Sequence, residues 1–207
     1  MDYTRTAVIV LADTRGPAHE TPLALLPFWG TPLVRHAALT ALESACGPVV
    51  VVTGAHASYV RRVLDGLNLT LVVTDPNSKG SGEALQAGLR ALGARMDLTG
   101  VVVVRAEQAM VTAPRLRQLV DVHRTSRQPL LGARYAGGSG LPAYIARVAF
   151  SSVFALTRGD EAERLLERCD PEVSMVDCPE AEPSASRHLT QALCSGGAWD
   201  TAAYAAF

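Results

Sequence analysis

The chain has 207 residues, 48% hydrophobic and 19% charged, enough apolar material for one sizeable core, and one domain is the default. A net charge of −1 supplies no basic footprint, which excludes nucleic acid as an expected partner. Cysteines at 46, 169, 178 and 194 form no C-x-x-C pair, which argues against structural zinc or a disulfide framework and for a reducing cytoplasm; the roughly six apolar residues after Arg5 are too few for a signal core or a membrane span.

In chain order, short β-branched runs alternate with helical patterns. A strand is expected at Ala7–Ala12, a turn-rich loop over Asp13–Pro22, an apolar approach over Leu23–Phe28, a turn at Trp29–Pro32, and a helix over Leu33–Cys46. Further strands are expected at Val49–Thr53, Thr70–Thr74 and Val101–Arg105, each dense in Val, Leu or Ile and read as buried on both faces. Helices are expected at His56–Leu67, Gly82–Gly93 and Ala113–Ser126. Alternation at this spacing predicts right-handed βαβ units and a mainly parallel sheet.

After Ser126 the pattern changes. Leu130–Tyr135 and Ala143–Ala146 read as strands flanking a glycine-rich loop over 136–142, a lid or rim. Val148–Leu156 and Asp160–Cys169 read as helices, the second opening with Asp160 and Glu161 where the helix dipole favours acids. A short strand at Met175–Cys178, a polar loop at Ala181–Ser186 and a helix at Arg187–Cys194 complete the domain, which is expected to span 1–194. The tail 195–207 carries Trp199, Tyr204 and Phe207 and is expected to dock on the body or on a partner subunit.

A strand that runs through a loop into a helix is where α/β proteins place phosphates, so function is read first from residues 7–42. The loop Asp13–Glu20 has one glycine and one cation, where phosphate cradles usually have several. No G-x-G-x-x-G follows the first strand, no H-x-x-x-H or H-E-x-x-H spacing points to zinc, and Ser81 lacks a nucleophile-elbow setting.

Five pieces then occur in the order of a known family. They are Leu11-Ala12 with Leu25-Leu26-Pro27-Phe28 and Gly30-Thr31-Pro32-Leu33; Asp75-Pro76 through Gly80 with Leu85-Gln86-Ala87-Gly88-Leu89; Val101 to Glu107-Gln108; Gly140-Leu141-Pro142; and Gly159-Asp160 with Arg164-Leu165-Leu166. Together they resemble the molybdenum-cofactor nucleotidyltransferases, and the G-H-P-like segment is closer to the cytidylyl branch. The resemblance implies an α/β, Rossmann-like, doubly wound fold: a mainly parallel mixed sheet with helices on both faces, nucleotide-diphospho-sugar transferase-like. It also implies attack of a molybdopterin phosphate on the α-phosphorus of CTP, with pyrophosphate released and Mg²⁺ held by the strand-end acid and a later one.

Carried over residue by residue, the resemblance places the nucleotide against Leu11, Ala12, Asp13 and Thr14, against Gly54 after the second strand, and against Gly80, with Arg15 and Lys79 as the nearby cations expected to reach it. It places the acceptor at Gly140 and Pro142, and makes Glu107 the catalytic, metal-holding acid. A homodimer or a protein partner is also expected.

The departures are chemical. With Leu25-Leu26-Pro27 as anchor and no gap, the family's loop glycine falls on Thr14, its arginine on Ala18, its second glycine on Glu20 and its lysine on Leu23. The serine before S-L falls on Ala84, and the late metal acid on Ser184. In phosphoryl-type transfer, positioned charge is most of the catalyst. Arg15 and Lys79 are the candidate substitutes, against the simpler account that each is a solvated loop charge; for Glu107 the simpler account is a salt bridge to Arg105 or Arg134. The residues therefore predict a weakly active or inactive homologue with a binding or regulatory role, a pseudoenzyme, the alternative being an active enzyme with a divergent site.

Overall fold

The run after Thr6 has no polar side chain to show to water, and it takes the middle of the sheet. The computed structural model describes residues 2–12, 22–75, 80–93, 97–135, 138–157, 161–168 and 174–179. Its strands are β1 (Thr6–Ala12), β2 (Pro27–Phe28), β3 (Thr31–Pro32), β4 (Val49–Thr53), β5 (Thr70–Val73), β6 (Gly100–Arg105), β7 (Leu130–Tyr135), β8 (Gly138–Ala146) and β9 (Met175–Asp177). Its α-helices are α1 (Leu33–Glu43), α2 (Ala57–Val63), α3 (Ser81–Leu92), α4 (Ala113–Ser126) and α5 (Phe150–Phe154). The main sheet runs β5-β4-β1-β6-β8-β7-β9. Strands β5, β4, β1 and β6 are mutually parallel, β8 is antiparallel to β6 and to β7, and β9 runs parallel to β7. This is the expected mainly parallel mixed sheet.

Alternation along β1 divides the core in two. Val8 and Val10 face α1, α2 and α4 through Val34, Ala38, Val60, Leu116 and Leu119. Ile9 and Leu11 face α3, α5 and the 3-10 segment Ala162–Arg168 through Leu85, Leu89, Val153, Leu165 and Leu166. Helices thus cover both faces, which lets a parallel sheet be apolar on both sides.

Several boundaries differ from the sequence reading, each for a local reason. Helix α1 stops at Glu43, because the Ser44 hydroxyl turns back onto the Ala41 carbonyl and Ala45 adopts φ +52°. Helix α2 covers only Ala57–Val63 of the expected His56–Leu67. Strand β5 is not buried on both faces: it is an edge strand, and its Val73 is 48% exposed. Most of the expected loop at 136–142 is strand, since Gly138, Ser139 and Gly140 pair with Tyr135, Arg134 and Ala133 across a register shift at Gly132/Ala133. The expected helix at 148–156 is a 3-10 turn, Arg147–Ala149, followed by the short α5. The loop 13–21, Lys79, Cys169 and everything from 180 onward, including the expected last helix and tail, lie outside the described residues. Cys46 and Cys178 are buried free thiols.

Gly88 in the family-like L-x-x-G-L run has a packing reason. A β-carbon there would lie 2.9 Å from Ile9 Cγ2 and 3.1 Å from Val52 Cγ2, so its absence lets α3 lie flat on β1 and β4. Gly88→Ala is expected to destabilise the protein by about 1–3 kcal/mol in urea unfolding, the cost of overpacking; an unchanged midpoint would show that the helix can lift off freely.

Candidate functional site

Parallel strands end together, and their carboxyl edge is where α/β proteins bind ligands. Here Leu11 and Ala12 end β1, Gly54 follows β4, Arg105 ends β6, and Ala106 and Glu107 form the turn just after it. Leu11 and Ala12 are buried in opposite cores, so any ligand contact they make is through the main chain; the Leu11 carbonyl accepts the Ala106 amide at 2.9 Å. Gly80 caps α3 with φ +82°, a left-handed conformation that glycine accepts without strain. Asp13, Thr14, Arg15 and Lys79 lie outside the described residues, while Leu23, the position matching the family's lysine, is 39% exposed.

The centre of this edge is Arg105. Its Nε and Nη2 grip Glu163 Oε1 and Oε2, both at 2.9 Å, in a fork-to-fork pair, and Nη2 also reaches Glu161 Oε2 at 3.1 Å and Ser81 Oγ at 3.2 Å. Burial works against the charge on Arg105, but the Glu163 hydrogen bonds and charge, the Glu107 charge and the Glu161 hydrogen bond together hold its pKa above that of an ordinary guanidinium. Arg134, the other partner considered for Glu107, pairs with Asp177 at 3.7 Å.

Glu161 does not serve the helix it was expected to open. Its Oε2 accepts the Ser81 hydroxyl at 2.6 Å and the Ser81 amide at 3.1 Å, so it caps α3 from eighty residues away. Burial pushes its carboxyl up, but the Ser81 hydrogen bonds and Arg105 outweigh that and hold it below its ordinary value of 4.5.

Gln108 is buried and ties the end of β6 to β8. Its Oε1 accepts the Arg105 amide at 3.1 Å, and its side-chain amide donates to the Leu141 carbonyl, just before the buried Pro142. Glu107 is thereby held between two fixed neighbours. On the other side, Ala109 packs with Phe28 and Leu33, and its carbonyl meets His36 Nε2 at 3.0 Å, which gives His36 a structural task. The site thus joins Gly80, Glu107, Gly140 and Pro142 through residues the sequence reading did not assign to it: Ser81, Arg105, Gln108, Glu161 and Glu163. Gln108 had a signal in the match to G-D-Q-P; the Ser81–Glu161 contact had none.

The metal expected at Glu107 can be tested against its neighbours. Its Oε1 is buried at the strand end, but among the described residues no three His, Cys, Asp or Glu side chains gather as a metal-holding group. The described donors do not complete a metal site, and no step is assigned to one.

Because the folded Glu161 pKa is depressed, its contribution to stability is complete above 4.5 and is lost as pH falls through the lower folded value. The side chain is 49% exposed, so the contribution is of exposed-pair size, about 0–1 kcal/mol. Urea titrations of wild type and Glu161→Ala should converge as pH drops below 4.5; a gap that persists into acid would assign the effect to packing. Gln108→Leu is expected to cost about 1–3 kcal/mol in urea unfolding, because the buried Leu141 carbonyl loses its donor; an unchanged midpoint would show that the carbonyl finds another partner.

A chain with this edge has relatives. The bifunctional protein GlmU of Kineococcus radiotolerans is 37% identical over 121 residues, 56% of this chain and 24% of that protein, so the chain spans about a quarter of the GlmU length. Nicotine blue oxidoreductase of Paenarthrobacter nicotinovorans is 28% identical over 181 residues, 84% of this chain and 86% of that protein. Among solved structures, Rv0371c of Mycobacterium tuberculosis H37Rv, in complex with manganese, superposes with a TM-score of 0.71 at 22% identity, covering 90% of this chain and 98% of that one. The model of the MobA-like NTP transferase domain matches residues 8–173, and the chain therefore belongs to that family of nucleotidyltransferases.

Proposed function

We propose that this chain is a binding or regulatory member of the MobA-like family, a weakly active or inactive homologue whose grip on a triphosphate has been lost. The carrying observation is electrostatic: at the described carboxyl edge the half-buried guanidinium of Arg105 is committed to Glu163 and Glu161 and feels Glu107 as well, so carboxylates outnumber the cation. Like charges about 4 Å apart repel by roughly 1–4 kcal/mol in partly solvated surroundings, and a polyphosphate brings several. The replacement of the family's loop cations by Ala18 and Leu23, with Glu20 adding a further negative charge, points the same way. A relative aligned over 84% of the chain is named for oxidoreductase chemistry, which accords with a scaffold reused away from nucleotidyl transfer.

The second reading is an active transferase working on Mg-CTP or another nucleotide, with a molybdopterin-type acceptor. The observation that favours it is Glu107, an acid at the strand-end position and held there by the Gln108 clip. In that reading Arg15 and Lys79 supply the missing positive charge, and the protein works in the cytoplasm, as a homodimer or with a protein partner.

Purified protein with Mg²⁺ and each of CTP, GTP, ATP and UTP is expected to release no pyrophosphate and to shift in melting temperature by less than about 1 °C. Release with any one nucleotide overturns the first reading. Restoring Thr14→Gly, Ala18→Arg and Leu23→Lys together is expected to raise nucleotide affinity, measured by calorimetry; no gain would mean that the ungapped loop alignment is wrong.

A further inference from the structure

Among the described residues the main sheet has two edges, and they are finished differently. Strand β9, at one edge, is three residues long and ends on Asp177, whose side chain is 82% exposed and pairs with Arg134, a short, charged edge of the kind that discourages a further strand. Strand β5, at the other, has none of these safeguards: from Leu67 to Thr74 there is no charge, proline or glycine, and Val73 is 48% exposed.

The ladder to β4 fixes which backbone groups of β5 point away from the sheet. The Thr74 amide donates to the Thr53 carbonyl at 2.8 Å, and Thr70 and Val72 lie opposite Val50 and Val52, so the even-numbered residues turn their N–H and C=O groups toward β4. Leu71 and Val73 therefore turn theirs outward. The row stops there on the amino side, because the Leu69 amide is spent on the Leu67 carbonyl at 3.0 Å.

This outward row matches a copy of itself. About a two-fold axis at Val72, an antiparallel β5 sets Leu71 of each copy against Val73 of the other, and each such couple exchanges both of its N–H and C=O groups, so every outward group of the row is met. No like charges meet along the join, since the strand carries none. The flanks agree: antiparallel pairing brings the Asp75 end of one β5 to the amino end of the other, the end at which α2 finishes with Arg61 and Arg62 against the single acid Asp65.

We propose that β5 is a self-association edge, to which a second copy of this chain adds its own β5 antiparallel and so joins the two sheets into one. The edge requires nothing of the site at Arg105 and serves whether or not a nucleotide is turned over. A join this short makes a small contact, so the dimer is weak and reversible.

Sedimentation equilibrium on the full chain is expected to show monomer at about 1 µM and dimer at about 100 µM, and the Leu71 and Val73 amides are expected to exchange with solvent several-fold more slowly at the higher concentration. Val73→Pro removes an outward donor and leaves the β4 ladder whole, and is expected to weaken association at least about tenfold. Val73→Lys, which keeps every backbone group and buries a charge in the join, is expected to do the same and serves if the proline variant fails to fold. Monomer at every concentration up to about 1 mM overturns the proposal. A dimer that survives in a folded variant overturns it too, since the contact then lies elsewhere, as do slow Leu71 and Val73 amides in a monomer, which would show the edge covered by another part of the chain.

Discussion

A guanidinium cannot be left mostly buried at the end of a strand without carboxylates to meet it. Arg105 is in that position, and its partners come from 56 and 58 residues further along the chain. For Glu163 to reach it, the segment 162–168 must lie down on the β7–β8 hairpin, and two glycines leave the room. A β-carbon at Gly132 would lie 2.7 Å from Leu166 Cδ1, and one at Gly140 would lie 2.6 Å from Tyr135 Oη and 3.3 Å from Glu163 Cγ. The family-like Gly140 thus has a packing reason of its own, alongside the acceptor role that the resemblance suggests. The same segment brings Leu165 and Leu166 into the core beneath α3, so the ion pair and the apolar contact hold each other in place.

The scaffold and the charges on it vary independently. The core needs apolar volume at alternating positions of β1 and β6 and on the inner faces of α1, α3 and α4, and the chain supplies it. Nothing in that requirement fixes which side chains stand in the loops past the strand ends. A family fold can therefore persist whatever charges stand at its carboxyl edge, which is why function has to be read from the site and not from the sheet.

What could be read from the sequence follows the range of each interaction. Strands β1, β4 and β6 and helix α4 announce themselves by local pattern, and each lies within a residue of its expected position. The composition of β5 matches a central strand; only the topology, which among the described residues has no strand beyond it, makes it an edge. The glycines of 138–140 looked like a loop because local propensity cannot see the pairing with β7 that extends them. Glu107 stands out in the sequence by its place in a motif, whereas Arg105 enters the sequence reading only as its partner. That Arg105 would grip Glu163, and Glu161 would cap α3 at Ser81, depends on how chain segments far apart in sequence meet, and no spacing rule encodes it.

The local charge balance says how such an edge can respond to an anion. Arg105 offsets one carboxylate, and the amino end of α3 offers about half an elementary charge toward a second. With Glu163 and Glu161 both in place, the cluster is already slightly negative before Glu107 is counted. A further anion finds no net attraction there, and simple addition is unfavourable. To draw an anion in, one of the carboxylates would have to go, because neither the guanidinium nor the helix end has charge left over once Glu163 and Glu161 are met.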